Sequence, residues 1–186
     1  MNYERSEGGI LLPINKIIMG GKFKFEHRRW EESHKNGGWY DTIDEWDVDN
    51  LVVNEGLNHI LNTEFNSGTP VSSWFLGLFQ GNYTPVSTDT AANIATNSTE
   101  CSSYTSPTRP AWTPASASGQ SITNSASQAT FTFNASVTVY GAFLISNSTI
   151  GGTSGVLFAA AQFSAAKNVV NLDQLLVTYT FNASST

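Results

Sequence analysis

One cysteine, Cys101, leaves no partner for an intramolecular disulfide and too few thiols for a cysteine-based zinc site. It reads as a small, partly buried apolar side chain. Charge is also scarce. Nine Lys and Arg stand against fifteen Asp and Glu, a net charge of −6. A phosphate-backbone binder needs clustered cations, so nucleic acid is not an expected partner. No apolar run approaches the roughly 20 residues that span a bilayer, and no membrane role is expected. The start of the chain holds Glu4, Arg5 and Glu7 before a short apolar run, Ile10 to Ile14, broken by Pro13. That is not the pattern of a secretory leader, and a protein kept soluble inside a cell is expected.

Catalytic equipment is thin as well. His27, His34 and His59 are the only histidines, with no H-x-x-x-H spacing, and none lies beyond residue 66. A Ser–His dyad built within residues 67–186 is therefore excluded. Gly20-Gly21-Lys22 lacks the upstream glycine of a phosphate-binding loop. The acidic run Asp41, Asp44, Glu45, Asp47 and Asp49 does not fit an EF-hand loop starting from Asp47 or from Glu45. It reads as a solvated acidic surface, with a docking patch for a basic partner and an irregular metal site as alternatives. No enzyme activity, cofactor or metal is expected.

What the chain does have is uneven patterning. Residues 1–66 carry seven Lys/Arg and twelve Asp/Glu, whereas residues 67–186 carry only Arg109, Lys167, Asp89, Glu100 and Asp173. In the second part, Ala129, Phe131 and Phe133 alternate with threonines, and Leu175, Val177, Tyr179 and Phe181 repeat the pattern. Period two means one buried face and one polar face. Trp74 to Phe79 (WFLGLF) and Val156 to Phe163 (VLFAAAQF) are apolar throughout, as strands covered on both faces are. Strands are predicted near 72–80, 128–134, 136–146, 155–163 and 173–182. Shorter ones are predicted around Ala91–Ile94 and Ser121–Asn124, with a long excursion around Tyr104–Pro114. ATFTFNAS at 129–136 echoes VTYTFNAS at 177–184, which two strands of one sandwich can do without a true repeat.

In the charged part, Lys22 to Glu26 alternates like a strand, and Glu45 to Val53 suggests a second, with Gly37-Gly38 between them. Leu57, Ile60, Leu61 and Phe65 lie at helical spacing, which predicts a helix over 54–65 with Asn54 as its N-cap. The fold class expected is mainly β: an antiparallel β-sandwich or jelly-roll-like domain with an N-terminal arm and one short helix. The organisation expected is an extended arm at 1–20 with no fold of its own, a charged subdomain at 21–66 and a charge-poor β-sandwich at 67–186.

Candidate interaction residues are the apolar set of the arm, Ile10, Leu11, Leu12, Ile14, Ile17 and Ile18, together with Arg109 and Trp112. An exposed apolar patch of that kind needs a cover. Arg109 stands nine residues after Glu100, across a segment that Pro107 turns. A Glu100–Arg109 pair would clamp this loop and present Trp112, between Pro110 and Pro114, outward. Trp112 is otherwise an anchor for the loop, against its own domain or a neighbouring subunit. Trp74 is expected in the core. Five N-x-[ST] sequons, at Asn82, Asn97, Asn134, Asn147 and Asn182, follow from the composition.

The stretches WFLGLFQGNYTPVSTDTAANI, TECSSYTSPTRPAW and SASQATFTFNASVTVYGAFLIS, with NLVVNEGLNHIL at 50–61, resemble small virion structural proteins of tailed bacteriophages, of the head decoration or cement kind. The resemblance spans about residues 50–182 and rests on overall pattern. It implies a virion protein assembled in the bacterial host cytoplasm, with no cofactor and no catalytic residue. It also implies a homo-oligomer whose partner is the major capsid protein or another virion protein. A tail adaptor or receptor-binding module is the alternative. A carbohydrate-binding sandwich ranks last, because residues 67–186 offer few carboxylates to flank an aromatic platform.

Overall fold

The computed structural model describes residues 3–5, 11–13, 17–32 and 37–185. The chain is mainly β, and its two principal sheets are antiparallel, as a β-sandwich-like fold requires. The strands are β1 (Tyr3–Arg5), β2 (Leu11–Pro13), β3 (Ile17–Glu31), β4 (Trp39–Asp49) and β5 (Leu51–Val52), followed by helix α1 (Asn54–Phe65). Then come β6 (Trp74–Phe79), helix α2 (Ile94–Asn97), β7 (Ala111–Trp112), β8 (Ser121–Thr123) and β9 (Ala129–Thr132). The chain closes with β10 (Val137–Ile145), β11 (Leu157–Val169) and β12 (Gln174–Ser185).

One sheet has the order β5-β11-β10-β6-β7. The other runs β4-β3-β12, and β12 carries β9 and β8 in succession along its far edge. The β3–β12 ladder is the longest, with Gln174 opposite Arg28 and Ser185 opposite Ile17. The two echoed segments are neighbours, since β9 pairs with the start of β12.

Alternation along β3 buries Phe23, Phe25 and His27 and turns Lys22 and Lys24 outward. The inward rings meet Leu76, Leu78, Ala142, Leu144, Ala159, Ala161 and Phe163 of the facing sheet. The opposite face of that second sheet is also covered. Phe79, Phe143, Ile145, Leu157 and Ala160 pack there against Val53, Ala91 and Ile94. This is why WFLGLF and VLFAAAQF carry no polar face. Phe143 lies over Gly77 and Phe79 over Gly141, reciprocally across the β6–β10 ladder, so neither glycine has room for a side chain.

The charged part of the sequence forms the outer face of the other sheet. Lys22 pairs with Asp47 and Asp49, Lys24 with Glu45, and Arg28 binds Glu26 through two hydrogen bonds. Glu26 and Glu45 sit directly opposite each other, and these cations offset that like-charge contact. Such exposed pairs are screened by solvent and add little to stability. Phe23 and Phe25 share one core with Val177 and Tyr179, so residues 21–66 and 67–186 are built into the same sandwich.

Three expectations need correction. The 1–20 segment is not without structure: β1 pairs with β2, and β3 already begins at Ile17. Ala91–Ile94 is a turn leading into a second helix, α2, and not a strand. The Asn93 carboxamide oxygen accepts from the Thr90 N–H, and Ile94 N–H donates to Thr90 O. A helical turn places Ala91 and Ile94 on one side, where both fill the core; the apolar spacing of three reflects that turn. The helix over 54–65 forms, but its N-cap is Val53, in extended conformation with no side-chain cap. Asn54 N–H donates instead to Ser87 O.

Gly56 lies on the face of α1 that meets β11, where a Cβ would come within 2.5 Å of Phe158 O and 2.9 Å of its Cα. Alanine favours a helix interior by about 1 kcal/mol over glycine, but overpacking against backbone costs about 1–3 kcal/mol. Gly56→Ala should therefore lower stability in chemical denaturation. A gain would show that α1 can lift off β11 at little cost.

Candidate functional site

All three carboxylates of residues 67–186 turn inward and hold loops. Asp89 accepts from the Val86 N–H at 2.9 Å and from the Tyr83 hydroxyl at 2.7 Å. Burial, with the Asp89 carboxylate beside it, pushes the Tyr83 phenol above its ordinary pKa.

Glu100 and Arg109 form the pair that their spacing suggests. Arg109 Nε and Nη2 donate to the two carboxylate oxygens at 2.7 and 2.8 Å. The side chains are 0% and 4% exposed. Arg109 Nη1 donates to Asn147 O at 2.8 Å, and Gly151 N–H donates to Glu100 at 2.7 Å. The guanidinium also lies 5.3 Å from the centre of the Phe143 ring. The pair therefore ties the 100–110 segment to the β10–β11 connection, with most of its hydrogen-bonding capacity filled. Arg109 has no face free for a partner.

Trp112 is buried as well, and its indole N–H donates to Tyr179 O at 3.0 Å. It anchors its loop to its own domain and does not point outward, because β7 pairs with β6 and draws the ring over Tyr179.

Asp173 ends the turn after β11. It accepts from the Val170 N–H at 3.0 Å, from His27 Nε2 at 2.8 Å and from Arg29 at 3.1 and 3.0 Å. Burial pushes its carboxyl upward. The Arg29, Val170 and His27 hydrogen bonds outweigh that push and hold it below the usual carboxylate range. The preceding residue, Leu172, has φ 72°, a left-handed conformation that leucine adopts only at a cost. Its N–H donates to Phe133 O, which helps hold the turn.

The apolar residues expected of an arm divide. Ile10 and Ile14 lie outside the described residues, and Leu11 and Leu12 belong to β2. Ile17 and Ile18, at the start of β3, are 73% and 55% exposed, and Met19 beside them is also exposed. They sit on a two-stranded extension in which Ile17, Ile18 and Met19 pair with Ser185, Ser184 and Ala183. This ribbon is an exposed apolar edge whose backbone is paired.

Sequence reasoning passed over the surroundings of α1. A groove of about 370 Å³ lies between the helix and the open end of the sandwich, with Trp74, Phe158 and Phe181 along it. A second cleft of about 640 Å³ lies on the helix's other side. His59 and Thr63, one turn apart, border both. Trp74, expected in the core, is only half-buried and meets His59 edge to face at 5.7 Å. The signal was present as Asn54, Asn58 and Asn62 at helical spacing, but exposed polar residues on a helix are ordinarily only solvated. Among the described residues no group of three or more His, Cys, Asp or Glu is placed to hold a metal, and no helix is long and apolar enough to cross a membrane.

No protein-family model matches the chain, and a search of curated proteins finds no significant match.

Two predictions concern the buried carboxylates. Removing one partner of a buried pair leaves the other charge desolvated, at about 3–5 kcal/mol. Arg109→Met and Glu100→Gln should each destabilise strongly, and the double variant should cost much less than their sum in a denaturant-read double-mutant cycle. Additivity within about 0.5 kcal/mol would show that the two do not interact. Asp173 has a folded pKa below its unfolded value near 3.9. Its stabilisation is thus complete above that unfolded value and fades as pH falls through the folded one. Asp173→Asn should cost about 1.5–3 kcal/mol at neutral pH and flatten the acid limb of the stability profile. An unchanged acid limb would assign acid sensitivity elsewhere.

Proposed function

We propose that this chain is a structural protein of a bacteriophage particle, and that it decorates and stabilises the head through protein–protein contacts. The observation that carries this reading is the β3–β12 ribbon, which holds Ile17, Ile18 and Met19 exposed on an already paired backbone. Isoleucines displayed in this way gain most when a partner surface covers them, at about 25 cal/mol per Å² removed from water. Pairing in the ladder limits the backbone freedom that docking would otherwise have to remove. Supporting it is the inward use of Asp89, Glu100 and Asp173, which leaves the β10–β11–β12 half with few surface charges to desolvate in a permanent interface. The partners proposed are the major capsid protein or a neighbouring virion protein, with symmetric self-association on the particle.

Densitometry of purified particles tests the reading. Head decoration follows lattice symmetry and requires on the order of hundreds of copies; a dozen or fewer would place the protein on a tail. Ile17→Asn with Ile18→Asn should leave the circular dichroism spectrum unchanged and reduce particle occupancy about tenfold or more, the equivalent of roughly 1.4 kcal/mol. Full occupancy by this variant would remove the ribbon from the interface.

A further inference from the structure

We infer that the two clefts astride α1 form one binding site for a neutral saccharide, with the His59–Thr63 ridge at its centre. The inference does not depend on the virion reading. Both volumes, about 370 and 640 Å³, lie in the range of small-ligand sites.

The groove side is aromatic, with half-buried Trp74 and Phe181 beside Phe158. The C–H face of a pyranose ring suits such surfaces, which bury area without demanding hydrogen bonds. Glu64, exposed at the end of α1, borders the same groove and supplies an acceptor for sugar hydroxyls.

The other cleft is built from amides and hydroxyls. Asn58 and Asn62 face it from α1, and Thr69, Thr88 and Thr90 face it from the chain opposite. A carboxamide donates and accepts through one side chain, and so matches a pair of vicinal hydroxyls, each of which also does both.

The ridge adds an independent sign. The Thr63 hydroxyl oxygen is buried and has no hydrogen-bond partner in the protein. A buried hydroxyl left unpaired costs about 1–3 kcal/mol, and because Thr63 lines both clefts a rotation of its half-buried side chain would bring the hydroxyl to a ligand there.

Charge narrows the ligand class. No Lys or Arg borders either cleft, whereas Glu55 and Glu64 do. Phosphorylated or sialylated ligands would therefore meet repulsion without a compensating cation. A purely apolar ligand would leave the Thr63 hydroxyl unpaired.

The test uses the full-length protein and a panel of neutral disaccharides: maltose, lactose, cellobiose and diacetylchitobiose. Sialyllactose is the anionic control, and binding is read by tryptophan fluorescence and calorimetry. At least one neutral sugar is expected to bind in the millimolar range or tighter, with sialyllactose weaker. Thr63→Val keeps the side-chain shape and removes the hydroxyl. It should retain or raise the melting temperature while weakening sugar binding about tenfold, the worth of one hydrogen bond near 1.4 kcal/mol. Asn62→Ala, at an exposed helix position, should weaken binding similarly without loss of fold. No binding of any neutral sugar at millimolar concentration would overturn the proposal. So would binding that Thr63→Val and Asn62→Ala leave intact, or tighter binding of sialyllactose.

Discussion

The ladder between β3 and β12 joins the two ends of the chain, and the rest of the sandwich is arranged around it. Its partners lie 146 to 168 residues apart along the sequence, from Arg28 with Gln174 to Ile17 with Ser185. Without it, β3 and β4 pair only with each other, and Phe23 and Phe25 are cut off from Val177 and Tyr179, with which they share the core. Closing so long a loop brings a large entropic cost before any contact rewards it, which favours slow, cooperative folding. The inner aromatic network then fixes the spacing between layers. Across the layers Phe163 meets Phe25 at 4.7 Å and Trp46 at 5.4 Å; within the β3 sheet Phe25 stacks on Trp46 at 5.1 Å and Phe23 meets Tyr179 at 4.6 Å.

Buried carboxylates do for the connections what the ladder does for the strands. Glu55 accepts from Ala91 N–H and Leu157 N–H, joining α1 to the 80–100 segment and to β11. Glu100 holds the β10–β11 connection through Arg109, and Asp173 holds the β11–β12 turn against β3. A long connection rich in Ser, Thr and Asn can thus pack as a second layer, because its backbone donors find fixed acceptors inside.

Much of this was legible in the sequence. The alternation at 129–133 and 175–181 and the apolar runs at 74–79 and 156–163 mark strands, because a sheet imposes period two or none according to how many faces it buries. The helix over 54–65 was equally plain from Leu57, Ile60, Leu61 and Phe65, of which only Leu57 and Ile60 pack on the core while Leu61 and Phe65 stay exposed. Glu100 and Arg109 could be paired because nine residues and a proline separate them. His27 and Asp173 could not, since nothing local marks a contact across 146 residues. The 80–103 segment was obscured because its order comes from carboxylates elsewhere in the chain and not from its own periodicity. The clefts around α1 were missed because carboxylates were counted within the β part alone. The helix that carries Glu64, Asn58 and Asn62 belongs by composition to the other part.

The edges of the two sheets differ in kind. The doubly covered sheet ends in β5 and β7, each of two residues, too short to template another strand. The other sheet ends in β4, eleven residues long, with one side of its backbone unpaired among the described strands. A long free edge invites addition of a strand from a second molecule. Here it carries Asp41, Asp44, Glu45, Asp47 and Asp49, so an identical edge approaching it would set acid against acid. The run that does not fit a calcium loop in the sequence lies along this edge in the fold, where Lys22, Lys24 and Lys167 partly offset its charge.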